Sequence, residues 1–217
     1  MGKFQIISFI LIIGSLNAWS QEAENDFLNL EFEFGIGYSQ SVNNNYFNDS
    51  QGIKINGGVG INMAFRYHFN YNWSAGVHFL ISTDEIIDYD PDLVLGYYSE
   101  SPLSTANLNL GVNGKYTYNL QRWQPFAYGG LGISFGGLTS LEYEQEVNGF
   151  TGIAMNLGIG LGYMASNSVM VSVSSTRNLG IAWWSKYPSS LSINKQFNPG
   201  FWTTAVSVSV YLPKEFY

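Results

Sequence analysis

The chain has no cysteine, so neither a disulfide framework nor a lipidated thiol holds or anchors it. Charge is also scarce: Asp, Glu, Lys and Arg make up 12% of the 217 residues, less than the surface of a soluble β-sandwich of this length would normally carry. Basic residues are the scarcer sign, 9 against 16 acidic, which argues against nucleic acid as a partner because phosphate binding depends on Lys and Arg. Only two histidines are present, so few residues can act as a general base. Long apolar runs are missing as well. The stretch from Phe4 to Gly14 is too short to span a bilayer as a helix, and nothing after it reaches the roughly 18 apolar residues that a spanning helix needs.

That early stretch reads instead as an export signal over residues 1–20, with Lys3 as the positive start, Phe4 to Gly14 as the apolar core and Ala18-Trp19-Ser20 as the small-residue cleavage pattern. The mature chain then begins at Gln21. It keeps 9 − 1 = 8 basic residues against 16 acidic ones, a net charge of −8.

What the rest of the chain has in quantity is alternation. From Ile53 to Tyr67 nearly every odd position is apolar and every even one is polar, charged, Gly or Ala, the period of a strand rather than of a helix. Eight such segments are predicted: Leu28–Ser39, Ile53–Tyr67, Trp73–Ser82, Thr105–Asn119, Pro125–Gly136, Thr151–Ala165, Val169–Arg177 and Phe201–Leu212. Tight turns at His68 to Asn72, Leu120 to Gln124 and Ser166 to Ser168 alternate with long polar connections. Segments of this length cross a bilayer when tilted, and only a closed barrel leaves no strand edge unpaired in lipid. The expected fold is therefore all-β, a closed antiparallel eight-stranded transmembrane barrel of up-and-down topology spanning residues 21–217. Short turns and both termini face the periplasm, and long loops face outward. Tyr67, Trp73, Tyr118 and Tyr163 fall near the periplasmic ends and Tyr38, Phe135 and Trp202 near the other, where aromatic girdles belong.

On these alternating segments, connection lengths and girdle aromatics the chain resembles the small eight-stranded outer-membrane barrels of Gram-negative bacteria, the OmpA/OmpX-type and PorT-like barrel domains. The resemblance implies location in the cell outer membrane, contact with its lipid and lipopolysaccharide, and dependence on the barrel-insertion machinery. Such barrels commonly end their last strand on an aromatic residue, whereas here Pro213 interrupts and Lys214 to Tyr217 trail beyond. No appended peptidoglycan-binding domain is expected.

A barrel of this size is filled by its own side chains. Strand parity turns Glu31, Glu33, Arg66, Lys115 and His78 inward, with Glu31 and Arg66 at similar heights on neighbouring strands, which predicts a buried ion-pair network. His78 is the only histidine placed where a base is useful, since His68 falls in a turn. Ser74 and Ser82 lie roughly 13 Å from it along the strand, beyond hydrogen-bond range, so no catalytic residue is assigned. Asp84, Glu85, Asp88, Asp90 and Asp92 crowd the second loop and Glu142, Glu144 and Glu146 the third. Asp88 to Leu93 lacks the Gly of a calcium loop, Ser99 stands where its bidentate Glu would be, and no metal or cofactor is expected. Trp183, Trp184, Tyr187 and Phe197 of the fourth loop read as interface anchors or a partner contact. The Gly158-Ile159-Gly160-Leu161-Gly162 run has no following helix and so forms no phosphate loop; it relieves crowding or lets the wall curve.

The functional expectation is a non-enzymatic barrel acting in envelope integrity or surface and protein interaction, alone or as part of a membrane complex, with an unidentified protein partner reached through the outer loops. Two alternatives belong to other classes: a lipid-A-modifying enzyme and a narrow channel.

Overall fold

The computed structural model describes residues 28–41, 54–55, 57–88, 103–140, 146–186 and 200–213. Its strands are β1 (Leu28–Ser41), β2 (Lys54–Ile55), β3 (Gly58–His68), β4 (Trp73–Asp88), β5 (Leu103–Thr117), β6 (Trp123–Ser140), β7 (Glu146–Ser166), β8 (Val169–Lys186) and β9 (Phe201–Pro213). The two-residue β2 and the longer β3 both pair with β4 and form one interrupted stave, so the wall has eight staves. Each is antiparallel to the next, and β1 pairs with β3 on one side and β9 on the other, which closes the barrel.

Following partners around the wall from Val173 leads through Val206, Ile36, Ile61, Ile81, Leu108, Phe135 and Thr151 back to β8 at Trp184, 184 − 173 = 11 residues along. One of these residues is a bulge at Ile181, because Ile153 pairs with Ala182 while Ala154 pairs with Gly180. The remaining stagger of 10 tilts the strands by roughly 40°, inside the range of closed barrels.

Alternation assigns the faces. On β1 the side chains of Phe32, Phe34, Ile36 and Tyr38 are exposed while Glu31 and Glu33 are buried; on β8 Val171 and Val173 are exposed while Met170, Ser172 and Ser174 are buried. The polarity of a water-soluble fold is thus inverted, with greasy residues outside and polar ones inside. A small apolar cluster of Phe126, Tyr128, Met170 and Tyr211 does lie inside, near the end of the barrel that carries the tight turns. One of those turns shows why it is tight: the Asn70 side-chain oxygen accepts hydrogen bonds from the backbone N–H of Asn72 and of Trp73, both at 2.9 Å.

The strands run further than hydropathy alone indicated. β4 continues past Ser82 to Asp88, β6 spans Trp123–Ser140, β7 starts at Glu146 and β8 persists to Lys186. Polar side chains do not end a ladder while the neighbouring strand still supplies backbone partners, and a pattern reading of each strand alone does not see that neighbour. Asp84, Glu85, Asp88 and Glu146 are accordingly strand residues rather than loop acids, and Trp183 and Trp184 belong to β8. The bulge at Ile181 resets the parity above it, so Trp184 faces outward and is 62% exposed. Residues 1–20, Asp90, Asp92, Ser99, Glu142, Glu144, Tyr187 and Phe197 lie outside the described residues.

A second correction concerns His68. It does not sit in the turn; it is the last residue of β3, with its ring buried inside the barrel. The inward parity of Ala64 and Arg66 extends by one more step, and the turn begins at Phe69.

Candidate functional site

The inward faces of β1, β3 and β5 bring four charges together in the half of the barrel nearest the tight turns. Glu31 pairs with Arg66 across the β1–β3 ladder, which places carboxylate and guanidinium at one level. Lys115 reaches the same point across the lumen. Its Nζ donates to Glu31 Oε1 at 2.6 Å and lies 3.8 Å from Glu33 Oε2. Arg66 Nη1 donates to Glu33 Oε2 at 2.6 Å and to Glu31 Oε1 at 3.3 Å, while its Nε donates to Asn113 Oδ1 at 3.1 Å.

The remaining acceptor sites of the carboxylates are used as well. Ser209 Oγ donates to Glu31 Oε1 at 3.0 Å, Asn62 Nδ2 donates to Glu33 Oε1 at 2.8 Å, and His68 Nε2 lies 3.1 Å from Glu31 Oε2. Aromatic faces complete the surroundings: the Lys115 ammonium sits 4.6 Å from the centre of the Phe126 ring and the Arg66 guanidinium 5.9 Å from that of Tyr128. Glu31, Glu33, Arg66 and Lys115 are all essentially fully buried. Two formal negative charges face two formal positive ones, so the group is neutral and hydrogen-bonded, the condition under which ions tolerate burial.

Space for these rings comes from β7. A Cβ added at Gly158 would strike the Tyr128 ring, one at Gly160 the Phe126 ring and one at Gly162 the Met170 side chain. The glycine run is therefore a shelf on which three large side chains lie. Tyr128 is held at its far end by a hydrogen bond between its hydroxyl and that of Thr176.

The other half of the lumen is polar and holds the carboxylate of Asp84, buried on the same inward face of β4 as His78 and Ser82, while the side chains around His78 itself are amides and hydroxyls. His78 Nε2 lies 2.7 Å from Asn109 Oδ1 and 2.8 Å from Asn156 Nδ2, and Asn109 Nδ2 donates to Ser134 Oγ at 2.9 Å. One ring nitrogen cannot donate to the first and accept from the second in the same tautomer, so one of the two amides presents its other end. Ser82 Oγ is 2.6 Å from Ser39 Oγ instead of turning to His78. An activated nucleophile needs its hydroxyl in direct contact with the base, and here Asn109 stands between His78 and Ser134.

Sequence parity placed Glu31, Glu33, Arg66, Lys115 and His78 inside; the structure gathers the first four and leaves His78 in the separate neutral network. In the sequence His68 falls in the turn and Asn62, Asn113, Ser209, Phe126 and Tyr128 carry no assigned role; the signal that finds all six is the same inward parity at neighbouring heights. On the outer wall, Tyr67 packs edge-on against Phe69 with ring centres 5.5 Å apart, Trp73 against Tyr116 at 4.9 Å and Tyr163 against Trp123 at 5.1 Å. Tyr118 follows β5 at the same end and is partly exposed. Tyr38, Phe135 and Trp202 face outward toward the other end.

A closed eight-stave barrel with an apolar outside and a filled, polar inside is matched by comparison with known proteins. The Outer membrane protein beta-barrel domain family matches over residues 8–210. The chain belongs to that family. Among solved structures the barrel is similar to the outer membrane protein OprG of Pseudomonas aeruginosa, with 12% identity, 86% of this chain and 98% of that chain covered, and a TM-score of 0.51. It is also similar to a major outer membrane protein of Thermus thermophilus, with 12% identity, 85% and 98% coverage and a TM-score of 0.49. Neisserial surface protein A follows with 11% identity, 86% and 99% coverage and a TM-score of 0.48. At these identities the likeness is one of fold. No curated protein matches the chain.

Proposed function

We propose that this outer-membrane barrel is a non-enzymatic wall protein of the cell envelope, acting in envelope integrity and surface interaction, with its tight turns and termini in the periplasm and its long connections outside. The observation that carries the reading is the cluster of Glu31, Glu33, Arg66 and Lys115, which with Phe126 and Tyr128 occupies the half of the lumen nearest the tight turns with its charges already paired to one another. It speaks against the channel. Against the lipid-modifying enzyme stands the separation of His78 from Ser134 by Asn109. The surface open to partners is the raised part of the wall, where β7 and β8 pair as far as Gly149 and Lys186 while β8 and β9 pair only as far as Asn178 and Phe201. The lipid, the lipopolysaccharide, the insertion machinery and a protein partner at the outer loops are the contacts that this role requires.

Two measurements test the reading together. Planar-bilayer recordings should give no conductance steps, and lipid A from a deletion strain should have an unchanged mass spectrum. Stepwise conductance would install the channel in its place, and altered acylation the enzyme. Co-purification from native membranes would then name the partner.

A further inference from the structure

Between the tight turns and the level of Tyr38 and Trp202, the described outward positions carry a single charged side chain, Arg177 on β8. Its parity is set by the buried residues on either side, Thr176 and Asn178, and its ladder partners are Leu157 on β7 and Trp202 on β9. A cation on this face is costly: about 2–4 kcal/mol at the midplane of an outer-membrane barrel, falling to about 0–1 kcal/mol near the interfaces. Arg177 escapes most of that penalty by position. Trp202 is one residue from the end of β9, and Tyr38 pairs with Thr204 close by, so Arg177 lies at the height of the aromatic residues on the side of the long connections.

Its surroundings are those of a cation waiting for an anion. The guanidinium is 5.2 Å from the centre of the Trp202 ring, which fixes the head on the outer wall. Its Nε is buried against the wall, so the two terminal Nη groups of the partly exposed side chain are the ones a ligand can reach, and no Asp or Glu occupies the facing positions on β7 or β9. A planar guanidinium fork matches a phosphate through two parallel N–H···O bonds, and at the edge of the hydrocarbon the abundant anion is the phosphate of a lipid headgroup.

We infer that Arg177 and Trp202 together form an anchoring site for the phosphate of an outer-leaflet lipid. The site rests on the outer-membrane orientation proposed above. The indole orients the guanidinium and covers one of its faces, the long Arg stem lies along the apolar wall, and the head reaches the phosphate layer. The site holds a neighbouring lipid against the β8–β9 seam, whose described ladder ends at Asn178 and Phe201, next to Arg177 and Trp202.

The test uses the full barrel refolded into phosphatidylcholine nanodiscs doped with bisphosphorylated lipid A, with the wild type compared to Arg177→Gln and Arg177→Lys. Native mass spectrometry counts the lipid A retained by each. Arg177→Gln should retain it about fivefold more weakly, the equivalent of about 1 kcal/mol per interfacial cation. Arg177→Lys should fall between, because it keeps the charge and loses the fork, and inorganic phosphate should not displace the lipid from the wild type. Equal retention by wild type and Arg177→Gln overturns the site. Displacement by inorganic phosphate overturns it too, since the site would then read a free anion rather than a lipid. Heat-modifiable migration is recorded on the same samples: a barrel that shows none in any variant refutes the membrane reading itself and this site with it.

Discussion

Lys115 Nζ lies 2.6 Å from Glu31 Oε1 although 84 residues separate the two in the chain and three strand pairings separate them around the wall. The contact crosses the lumen, so it exists only when the barrel is closed. With Arg66 on the other side of the same oxygen, Glu31 is held from two directions, and neither cation alone neutralises both carboxylates.

Breaking that balance should be expensive. Arg66→Ala leaves two buried carboxylates facing one cation, and removing one partner of a buried pair typically costs about 3–5 kcal/mol. Urea titration of the refolded barrel measures the loss. The double variant Arg66→Ala with Glu31→Ala, which leaves Glu33 facing Lys115, should recover part of it, and the double-mutant cycle gives the coupling. Additive losses would mean that the ions do not act as one unit.

Gly158 should tolerate no side chain. Gly158→Ala drives a methyl group into the Tyr128 ring, an overpacking that costs about 1–3 kcal/mol. Shortening the partner with Tyr128→Ser should relieve the clash, so the Gly158→Ala step should cost less in that background than in the wild type. The same urea titration decides. An unchanged cost in both backgrounds would show that the ring does not lie on the glycine shelf.

The outer face should reject charge. Ile159 is 68% exposed, yet Ile159→Arg should lower stability in vesicles by about 2–4 kcal/mol, because the exposure is to hydrocarbon. Ile159→Leu should be nearly silent. A soluble protein would tolerate Arg at a position this open, so a neutral result would contradict the spanning barrel.

The two histidines should separate. His68 lies 3.1 Å from Glu31 and packs edge-on against Tyr211 at 5.5 Å, so His68→Ala removes a partner from a buried carboxylate and should cost about 1–3 kcal/mol. His78→Ala leaves the charged cluster untouched and should change neither lipid A composition nor migration of the unheated band. Loss of a lipid-modifying activity in His78→Ala would reverse the assignment of this half of the lumen.

The period of two along each segment was enough to state that the chain is a barrel and which residues face inward, because the alternation of side chains is a local property of an extended backbone and needs no neighbour to be read. Glu31, Glu33, Arg66 and Lys115 were legible for that reason, as were the outward Phe, Val, Ile and Trp positions. What the tertiary structure alone decided is how the staves slide past one another. The register of the staves puts Lys115 on Glu31 and places Asn109 and Asn156, rather than a hydroxyl of the described residues, at the ring nitrogen of His78. Neighbouring ladders carry β4 and β8 beyond where hydropathy stopped them, the bulge at Ile181 turns Trp184 outward, and pairing with Ser74 extends β3 to His68, which keeps it on the inward face. Register is a relation between strands distant in sequence, and its energy is shared among every ladder in the ring, so no single segment records it.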